Sequence, residues 1–202
     1  MESMVPSRLD PALVRKSAII VAGIALIEAL VLIVFHSIFV PPVLQHLERV
    51  PFFAWPAAVL VAVAYIWYAA YGLPTVRRLL FTVAPVAVLG LVIAVPSSIL
   101  EEIFFRQGLM NAQRSWPILA QIGYSAILFG IAHGIWGIRG GWRSVAGAVG
   151  STTGLGLALG ALFVVAGRVV LPCILAHFLI NLILEPWLVY AYAERASAPS
   201  YV

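Results

Sequence analysis

The chain has 202 residues, of which 63% are hydrophobic and only 10% are charged. Because a soluble globular domain carries about 25% charged residues and about 45–50% apolar ones, this composition excludes a fold with a water-facing surface and predicts an integral membrane protein. The net charge of +4 does not indicate nucleic-acid binding, since the basic residues are scattered between apolar blocks rather than clustered.

Six apolar segments are long enough to cross the bilayer as helices, because about 20 residues span roughly 30 Å of hydrocarbon. In chain order they cover Ser17–Val40, Pro51–Tyr71, Leu79–Ala112, Pro117–Ile138, Ser144–Ala166 and Pro172–Tyr190. The first exceeds the roughly 7–15 residues of a signal-peptide core, so we interpret it as a retained span. The sequence therefore predicts an all-α, polytopic membrane bundle of about six transmembrane helices, forming a single domain over residues 1–202.

The lysine and arginine residues predict the orientation of this bundle. With the N-terminus in the cytoplasm, eight of the twelve fall on the inner side: Arg8, Arg15, Lys16, Arg77, Arg78, Arg139, Arg143 and Arg195. The other four fall on the outer side: Arg49, Arg106, Arg114 and Arg168. By the positive-inside rule, we expect a multi-pass cell-membrane protein with both termini in the cytoplasm.

The third segment is too long for one straight span and contains Pro85 and Pro96. Proline removes a helical hydrogen bond and clashes with the preceding turn. A kink or a fresh helix start is therefore expected near residue 96, with a helix running from there to about Ala112.

The fifth segment contains two pairs of glycines at helical spacing, Gly150 with Gly154 and Gly156 with Gly160. Small residues four apart let neighbouring helices approach closely in a membrane. The sequence predicts that both pairs serve helix packing.

Three polar signatures interrupt the apolar spans, and ionisable groups inside a membrane usually mark functional sites. They are, in chain order, Glu101-Glu102-x-x-x-Arg106, Phe129-x-x-x-His133 and His177-x-x-x-Asn181. Counting about 1.5 Å per residue from the nearest turns puts all three signatures near the middle of the bilayer. The sequence therefore predicts that they converge in one site.

Some of these residues also have a purely structural interpretation. Ser98-x-x-Glu101 matches a capping box, in which Glu101 would tie down a helix start. Glu102 and Arg106, four apart, are expected to form an ion pair. Phe129 is expected to pack and position His133.

Further polar residues carry weaker signals. Glu28 is expected to pair with His36 or to line the cavity, and Glu185 to support the site or lie at the interface. Cys173 is the single cysteine, which excludes an intrachain disulfide and a zinc-cluster spacing. As a buried free cysteine it is expected to behave as a small hydrophobe.

The converging groups suit two kinds of hydrolytic chemistry. Glu101 and His133, sharing one water, could deprotonate it for attack on a carbonyl. His177 and the Asn181 amide could then stabilise the resulting oxyanion. Alternatively, Glu101, His133 and His177 match the ligand set of a hydrolytic zinc site. The sequence leaves both schemes open, with zinc as the candidate cofactor if a metal is used.

In order and position, the three signatures resemble the motifs of the CPBP intramembrane proteases. That family includes the CAAX prenyl endopeptidases of the Ras-converting type and the bacterial bacteriocin-processing or immunity proteins called Abi. The resemblance covers about residues 95–185, and the spans over about residues 17–71 fit the variable N-terminal part of such proteins. The short chain resembles a compact prokaryotic member, for which a farnesylated substrate is not assumed.

The resemblance implies a role for each polar residue of the signatures. Glu101 and His133 would activate the attacking water. The assisting residues would be His177 and Asn181, which stabilise the oxyanion, and Glu102 and Arg106, which support Glu101. The family is commonly labelled as metalloproteases, although its need for a metal is disputed.

The expected function is that of an intramembrane endopeptidase that cuts a peptide bond in a membrane-associated protein or peptide. The expected partners are this substrate and the lipid bilayer, without nucleic acid. A non-catalytic immunity or scaffold protein would instead keep the cluster as a structural or ligand site. A haem protein or metal transporter would use His133 and His177 as ligands.

Overall fold

The computed structural model describes residues 9–44, 46–80 and 85–197, and the regular elements within these ranges are all helical. The α-helices are α1 (Pro11–Val34), α2 (His36–Leu44), α3 (Ala54–Gly72), α4 (Pro74–Leu79), α5 (Pro85–Glu102), α6 (Ile118–His133), α7 (Gly141–Val165) and α8 (Leu171–Ser197). Short 3₁₀-helical turns cover Leu47–Arg49 and Gly134–Gly140, and a π-helical segment, Ile103–Met110, extends α5. The predicted all-α membrane bundle is confirmed.

Four helical stretches of the described chain are long and apolar enough to cross a membrane. They are Pro11–Val34, Ala54–Gly72, Ile118–Val165 and Leu171–Glu194. The third has 48 residues because it contains both α6 and α7, joined through the 3₁₀ turn. With α5, these stretches give six long helices, one overlapping each predicted segment. The protein is therefore a multi-pass membrane protein.

The first helix differs from its predicted bounds at both ends. It begins at Pro11, because the Asp10 side chain accepts a hydrogen bond from the Ala12 amide at 2.8 Å. An aspartate cap followed by proline at the first helical position is a common helix start. The helix ends at Val34, and α2 begins at His36, so the predicted continuous span to residue 40 is wrong.

Helix α5 continues through Pro96, so the predicted fresh helix start there is wrong. The Ser98 hydroxyl donates to the Ala94 carbonyl at 2.6 Å and thus bonds back to its own helix. The capping-box interpretation of Ser98 and Glu101 is therefore wrong as well. Beyond Glu102 the helix widens into the π-helical segment, a distortion that is frequent at functional sites, and returns to α-helix up to Ala112, as predicted.

Helices α6 and α7 form an antiparallel hairpin held by close glycine contacts. A Cβ atom at Gly156 would lie 2.8 Å from Cα of Ala126, and one at Gly160 would lie 3.1 Å from Cγ2 of Ile122. The predicted packing role of the Gly156 and Gly160 pair is thus confirmed.

The other glycine pair of α7 is used differently. A Cβ atom at Gly150 or Gly154 would meet no atom of the described residues within 4 Å. Both glycines instead line an apolar groove between α7 and α3, opposite Tyr65 and Tyr68. The prediction that this pair packs against a neighbouring helix is wrong.

The two glycine pairs provide a matched test of packing. We expect Gly156→Ala to lower the free energy of unfolding by about 1–3 kcal/mol, because the added methyl overpacks the contact with Ala126. Gly154→Ala adds the same methyl to open space, so we expect no loss. Thermal unfolding of both variants in one detergent measures the difference, and equal midpoints would contradict this account of the hairpin.

Helices α5 and α8 form a second antiparallel pair. Gly90 of α5 lies against Pro186 of α8, where an added Cβ would come within 2.6 Å of the proline Cγ. The α5–α8 pair meets the α6–α7 hairpin where the Ser125 hydroxyl donates to the Phe105 carbonyl at 2.8 Å. The bundle thus joins two packed helix pairs, and α1 and α3 pack mainly against α5 and α8.

One end of the bundle is formed by the start of α1, by α4, by the turn between α6 and α7 and by the end of α8. Three contacts define it: the Asp10 amide to the Tyr190 hydroxyl (3.4 Å), a guanidinium nitrogen of Arg78 to a Glu194 carboxylate oxygen (3.7 Å), and Nε of Arg139 to the Tyr192 hydroxyl (3.0 Å). The described cations of the elements meeting here are Arg15, Lys16, Arg77, Arg78, Arg139 and Arg143. They match the predicted inner group; Arg8 and the Arg195 side chain lie outside the described residues.

The opposite end carries fewer cations. Arg168 donates from Nη1 to Asn111 Oδ1 at 3.0 Å and from Nη2 to Gln121 Oε1 at 2.6 Å. These bonds tie the turn before α8 to the end of the π-extended α5 and to α6. Arg49 lies beside this turn, because a Cβ at Gly167 would be 3.7 Å from the Arg49 carbonyl. Arg106, which was counted on this side but was also expected to belong to the site, is buried within the bundle.

Candidate active site

Glu101, in the last turn of α5, is the residue at which the three signatures meet. Its Oε2 lies 3.3 Å from Nε2 of His133 on α6 and 3.9 Å from Nε2 of His177 on α8. Its Oε1 accepts a hydrogen bond from the Ser97 hydroxyl, one turn earlier, at 3.1 Å. The convergence predicted from the depth of each signature is therefore present.

The partners of His133 decide where its hydrogens lie. Nδ1 is 2.8 Å from the Phe129 carbonyl oxygen, and because a carbonyl can only accept, Nδ1 carries a hydrogen. Nε2 then faces Glu101 Oε2, which is an acceptor, so one hydrogen shared by these two atoms satisfies both. The Glu101–His133 pair can thus hold a proton between the carboxylate oxygen and the ring nitrogen.

His177 is oriented by a buried ion pair. Its Nδ1 lies 2.7 Å from Oε1 of Glu102, whose Oε2 lies 3.1 Å from Nε of Arg106. Glu102 and Arg106 are both fully buried, and the ion pair expected from their spacing is confirmed. Glu102 contacts His177, which leaves Nε2 of that ring directed at Glu101. Glu102 is therefore linked to Glu101 through the His177 ring.

Phe129 occupies the centre of the cluster and is fully buried. Its ring centroid lies 4.3 Å from that of His133, 5.7 Å from that of His177 and 4.6 Å from Cζ of Arg106. The guanidinium over the ring is a cation–π contact between the two helix pairs. Phe129 thus packs against His133 as expected, and it also contacts Arg106 and His177. These two contacts join Phe129 to residues on other helices, so the position of Phe129 in its own helix did not predict them.

Asn181 lies one turn after His177 on α8. Its side-chain amide donates from Nδ2 to the Ser97 hydroxyl at 3.3 Å. The sequence did not single out Ser97, because a serine in an apolar helix is common and its partner is remote in the chain. Ser97 nevertheless connects Asn181 to Glu101.

A cavity of about 420 Å³ opens beside these groups. Glu101, His133 and Asn181 line its inner part, and it extends to Gly72 and Tyr192 at the cation-rich end of the bundle. The polar cluster therefore faces a cavity that extends toward that end.

Two further carboxylates, those of Glu28 on α1 and Glu185 on α8, line the same cavity. Each has a buried Oε2 with no hydrogen-bond partner among the described residues. His36 bonds to the Ile33 carbonyl instead of Glu28. Cys173 is buried, with its thiol 3.4 Å from the Leu159 carbonyl, and does not line the cavity.

The residues predicted as metal ligands do not form a ligand set. Within the described ranges, no three His, Cys, Asp or Glu side chains are arranged to hold a metal ion. The described residues therefore do not support the metalloprotease label.

Comparison with known proteins identifies the family. Residues 83–183, half of the chain, match the family model described as type II CAAX prenyl endopeptidase Rce1-like. The matched segment contains all three signatures, from Glu101 to Asn181. No curated protein and no solved structure matches the chain. The chain belongs to the Rce1-like family of type II CAAX prenyl endopeptidases, which are intramembrane proteases.

Proposed function

We propose that this protein hydrolyses a peptide bond of a membrane-associated protein or peptide, with Glu101 and His133 activating the attacking water. The observation that carries the proposal is the 3.3 Å contact between Oε2 of Glu101 and Nε2 of His133 beside a cavity that extends to one end of the bundle. Both residues line that cavity, so a water molecule that enters it can donate a hydrogen to either acceptor.

The hydrolysis follows from this arrangement. The water donates one hydrogen to Glu101 and the other to His133, and its oxygen attacks the carbonyl carbon of the scissile bond while Glu101 takes the proton. The carbonyl oxygen becomes an oxyanion. When the carbon–nitrogen bond breaks, the proton held by Glu101 passes to the leaving nitrogen, which departs as an amine. The other product is a carboxylic acid, which keeps the second hydrogen of the water until it ionises to a carboxylate and the amine takes up that proton.

His177 and Asn181 are proposed as the donors to the oxyanion. The Glu102 carboxylate at Nδ1 of His177 supports this role, because it fixes the ring with Nε2 directed at Glu101, beside the proposed position of the scissile bond. Asn181 has a second N–H besides the one bonded to Ser97. Arg106 balances the charge of Glu102 and so acts on the reaction only through His177.

The orientation in the membrane is also a proposal. The cavity extends to the end of the bundle that carries the larger group of lysines and arginines. By the positive-inside rule, this supports a cytoplasmic location for that end and for both termini. The substrate would then enter from the cytoplasmic side.

The test compares the termini of membrane proteins in cells that carry the wild-type protein or Glu101→Ala. We expect new termini with the wild type only, because the variant lacks the group that takes the proton from water. Both proteins must be present and folded in equal amounts, as judged by their unfolding midpoints in detergent. Identical termini would contradict the proposal and favour a non-catalytic immunity or scaffold role.

A further inference from the structure

We propose that Ser97 is a positioning residue that orients both Glu101 and Asn181 for the hydrolytic reaction; this inference rests on the proposed function. The Ser97 hydroxyl donates to Oε1 of Glu101 at 3.1 Å and accepts from Nδ2 of Asn181 at 3.3 Å. Ser97 is only 2% exposed and lines the same cavity as Glu101 and Asn181. One hydroxyl therefore joins the proposed base on α5 to the proposed oxyanion donor on α8.

The hydrogen count explains how a single hydroxyl can orient two groups. A serine hydroxyl has one hydrogen to donate and two lone pairs with which to accept. Its hydrogen engages Oε1 of Glu101, which leaves Oε2 as the oxygen that faces His133 and His177. The carboxylate is thereby held in one rotation, with its reactive oxygen toward the water that His133 shares.

The same hydroxyl decides which end of the Asn181 amide is used. Because the serine oxygen accepts the bond, it selects the amide nitrogen rather than the amide oxygen as its neighbour. The nitrogen carries a second hydrogen, which stays available to an oxyanion in the cavity that both residues line. Without Ser97, the amide could turn its oxygen, an acceptor, toward a developing negative charge.

Ser98 supplies a matched control. It follows Ser97 directly and is fully buried, but its hydroxyl donates to the Ala94 carbonyl of its own helix at 2.6 Å. Ser97→Ala and Ser98→Ala therefore remove the same atom from equally buried sites of one helix. They differ in that only the first loses contacts to Glu101 and Asn181.

The experiment measures hydrolysis by the full-length protein in liposomes. The probe is an internally quenched peptide that carries the cleavage sequence found from the cellular termini. We expect Ser97→Ala to lower kcat by about 10- to 100-fold, as small misplacements of reacting groups do, with KM changed less than about twofold. Ser98→Ala should leave both constants near those of the wild type.

Two further comparisons separate positioning from a general structural role. Thr and Val have nearly the same shape, so Ser97→Thr should retain most of kcat and Ser97→Val should lose it, even if Ser97→Ala fails to fold. When Asn181 is already replaced by alanine, Ser97→Ala should lower kcat by a smaller factor than it does in the wild type. The reason is that part of its effect comes from losing the contact with the Asn181 amide. Equal losses in both backgrounds would overturn the proposal.

The outcomes also separate this inference from the proposed function. If the wild type and Ser98→Ala do not hydrolyse the peptide, the proposed function fails. If both hydrolyse it and Ser97→Val is as fast as Ser97→Thr, the positioning role is overturned while the proposed function stands.

Discussion

Glu101→Gln is expected to lower kcat/KM by about 10²- to 10⁴-fold, the usual contribution of a general base. The amide nearly matches the carboxylate in size and can still bond to Ser97, but it cannot take a proton from the water shared with His133. Asn181→Ala should retain more activity, because losing one oxyanion donor costs about 10²- to 10³-fold and His177 remains. Hydrolysis of the quenched peptide in liposomes measures both losses.

The control for this prediction is Glu194→Gln. Glu194 lies at the cation-rich end of α8, with its carboxylate 3.7 Å from Arg78 and about 40% exposed, outside the lining of the cavity. Its replacement should leave kcat/KM within about twofold of the wild type, as expected for an exposed ion pair of little energetic weight. A Glu101→Gln enzyme with activity within tenfold of the control would rule out Glu101 as the base.

Arg106→Met is expected to lower the free energy of unfolding by about 3–5 kcal/mol, the loss typical of breaking a buried ion pair by removing one partner. The substitution keeps most of the apolar volume and removes the guanidinium that lies 3.1 Å from Glu102 and 4.6 Å from the Phe129 ring centroid. Glu102 would then be a buried carboxylate with only His177 beside it. Denaturant or thermal unfolding in detergent measures the loss.

Arg139→Met is the matched control for Arg106→Met. Arg139 is exposed and bonds to the Tyr192 hydroxyl, so its loss should cost less than about 1 kcal/mol. The double variant Glu102→Gln with Arg106→Met should lose less than the sum of the single variants, because the two side chains share one interaction. Similar small losses for Arg106→Met and Arg139→Met would show that the buried pair contributes little to stability.

The convergence of the site was predictable because depth along a helix is encoded in residue number. Each turn of the chain fixes a starting depth, and the rise per residue then places Glu101, His133 and His177 at one level. The pairing of Glu102 with Arg106 was predictable for a similar reason, since residues four apart share a helix face. These relations need no knowledge of neighbouring helices.

Contacts between helices were not predictable, because they depend on how each helix is rotated about its axis. In a soluble bundle an apolar stripe reveals that rotation. In a membrane the lipid-facing side is as apolar as the packed side, so the stripe disappears. The contact of Glu102 with His177 and the guanidinium of Arg106 over Phe129 therefore had no signal in the sequence.

The two glycine pairs of α7 illustrate the same limit in the fold. Gly150 with Gly154 and Gly156 with Gly160 have the same spacing, yet only the second pair packs against α6. Glycines four residues apart allow another helix to approach closely. Whether a helix lies there depends on how the rest of the bundle packs. A helix end can also differ from its predicted position because of a local contact. The Asp10 cap starts α1 at Pro11, before the predicted apolar segment begins.

Glu101 and His133 lie on two different packed helix pairs, so the proposed reaction is expected to depend on the surrounding lipid. Glu101 belongs to the α5–α8 pair and His133 to the α6–α7 hairpin, so their 3.3 Å contact bridges two bodies. Helices respond to a bilayer that is too thin or too thick by tilting. A relative shift of about 1 Å between the pairs is enough to cost about 100-fold in rate. If Glu101 and His133 act as proposed, the acyl-chain length of the surrounding membrane is expected to change the rate of hydrolysis.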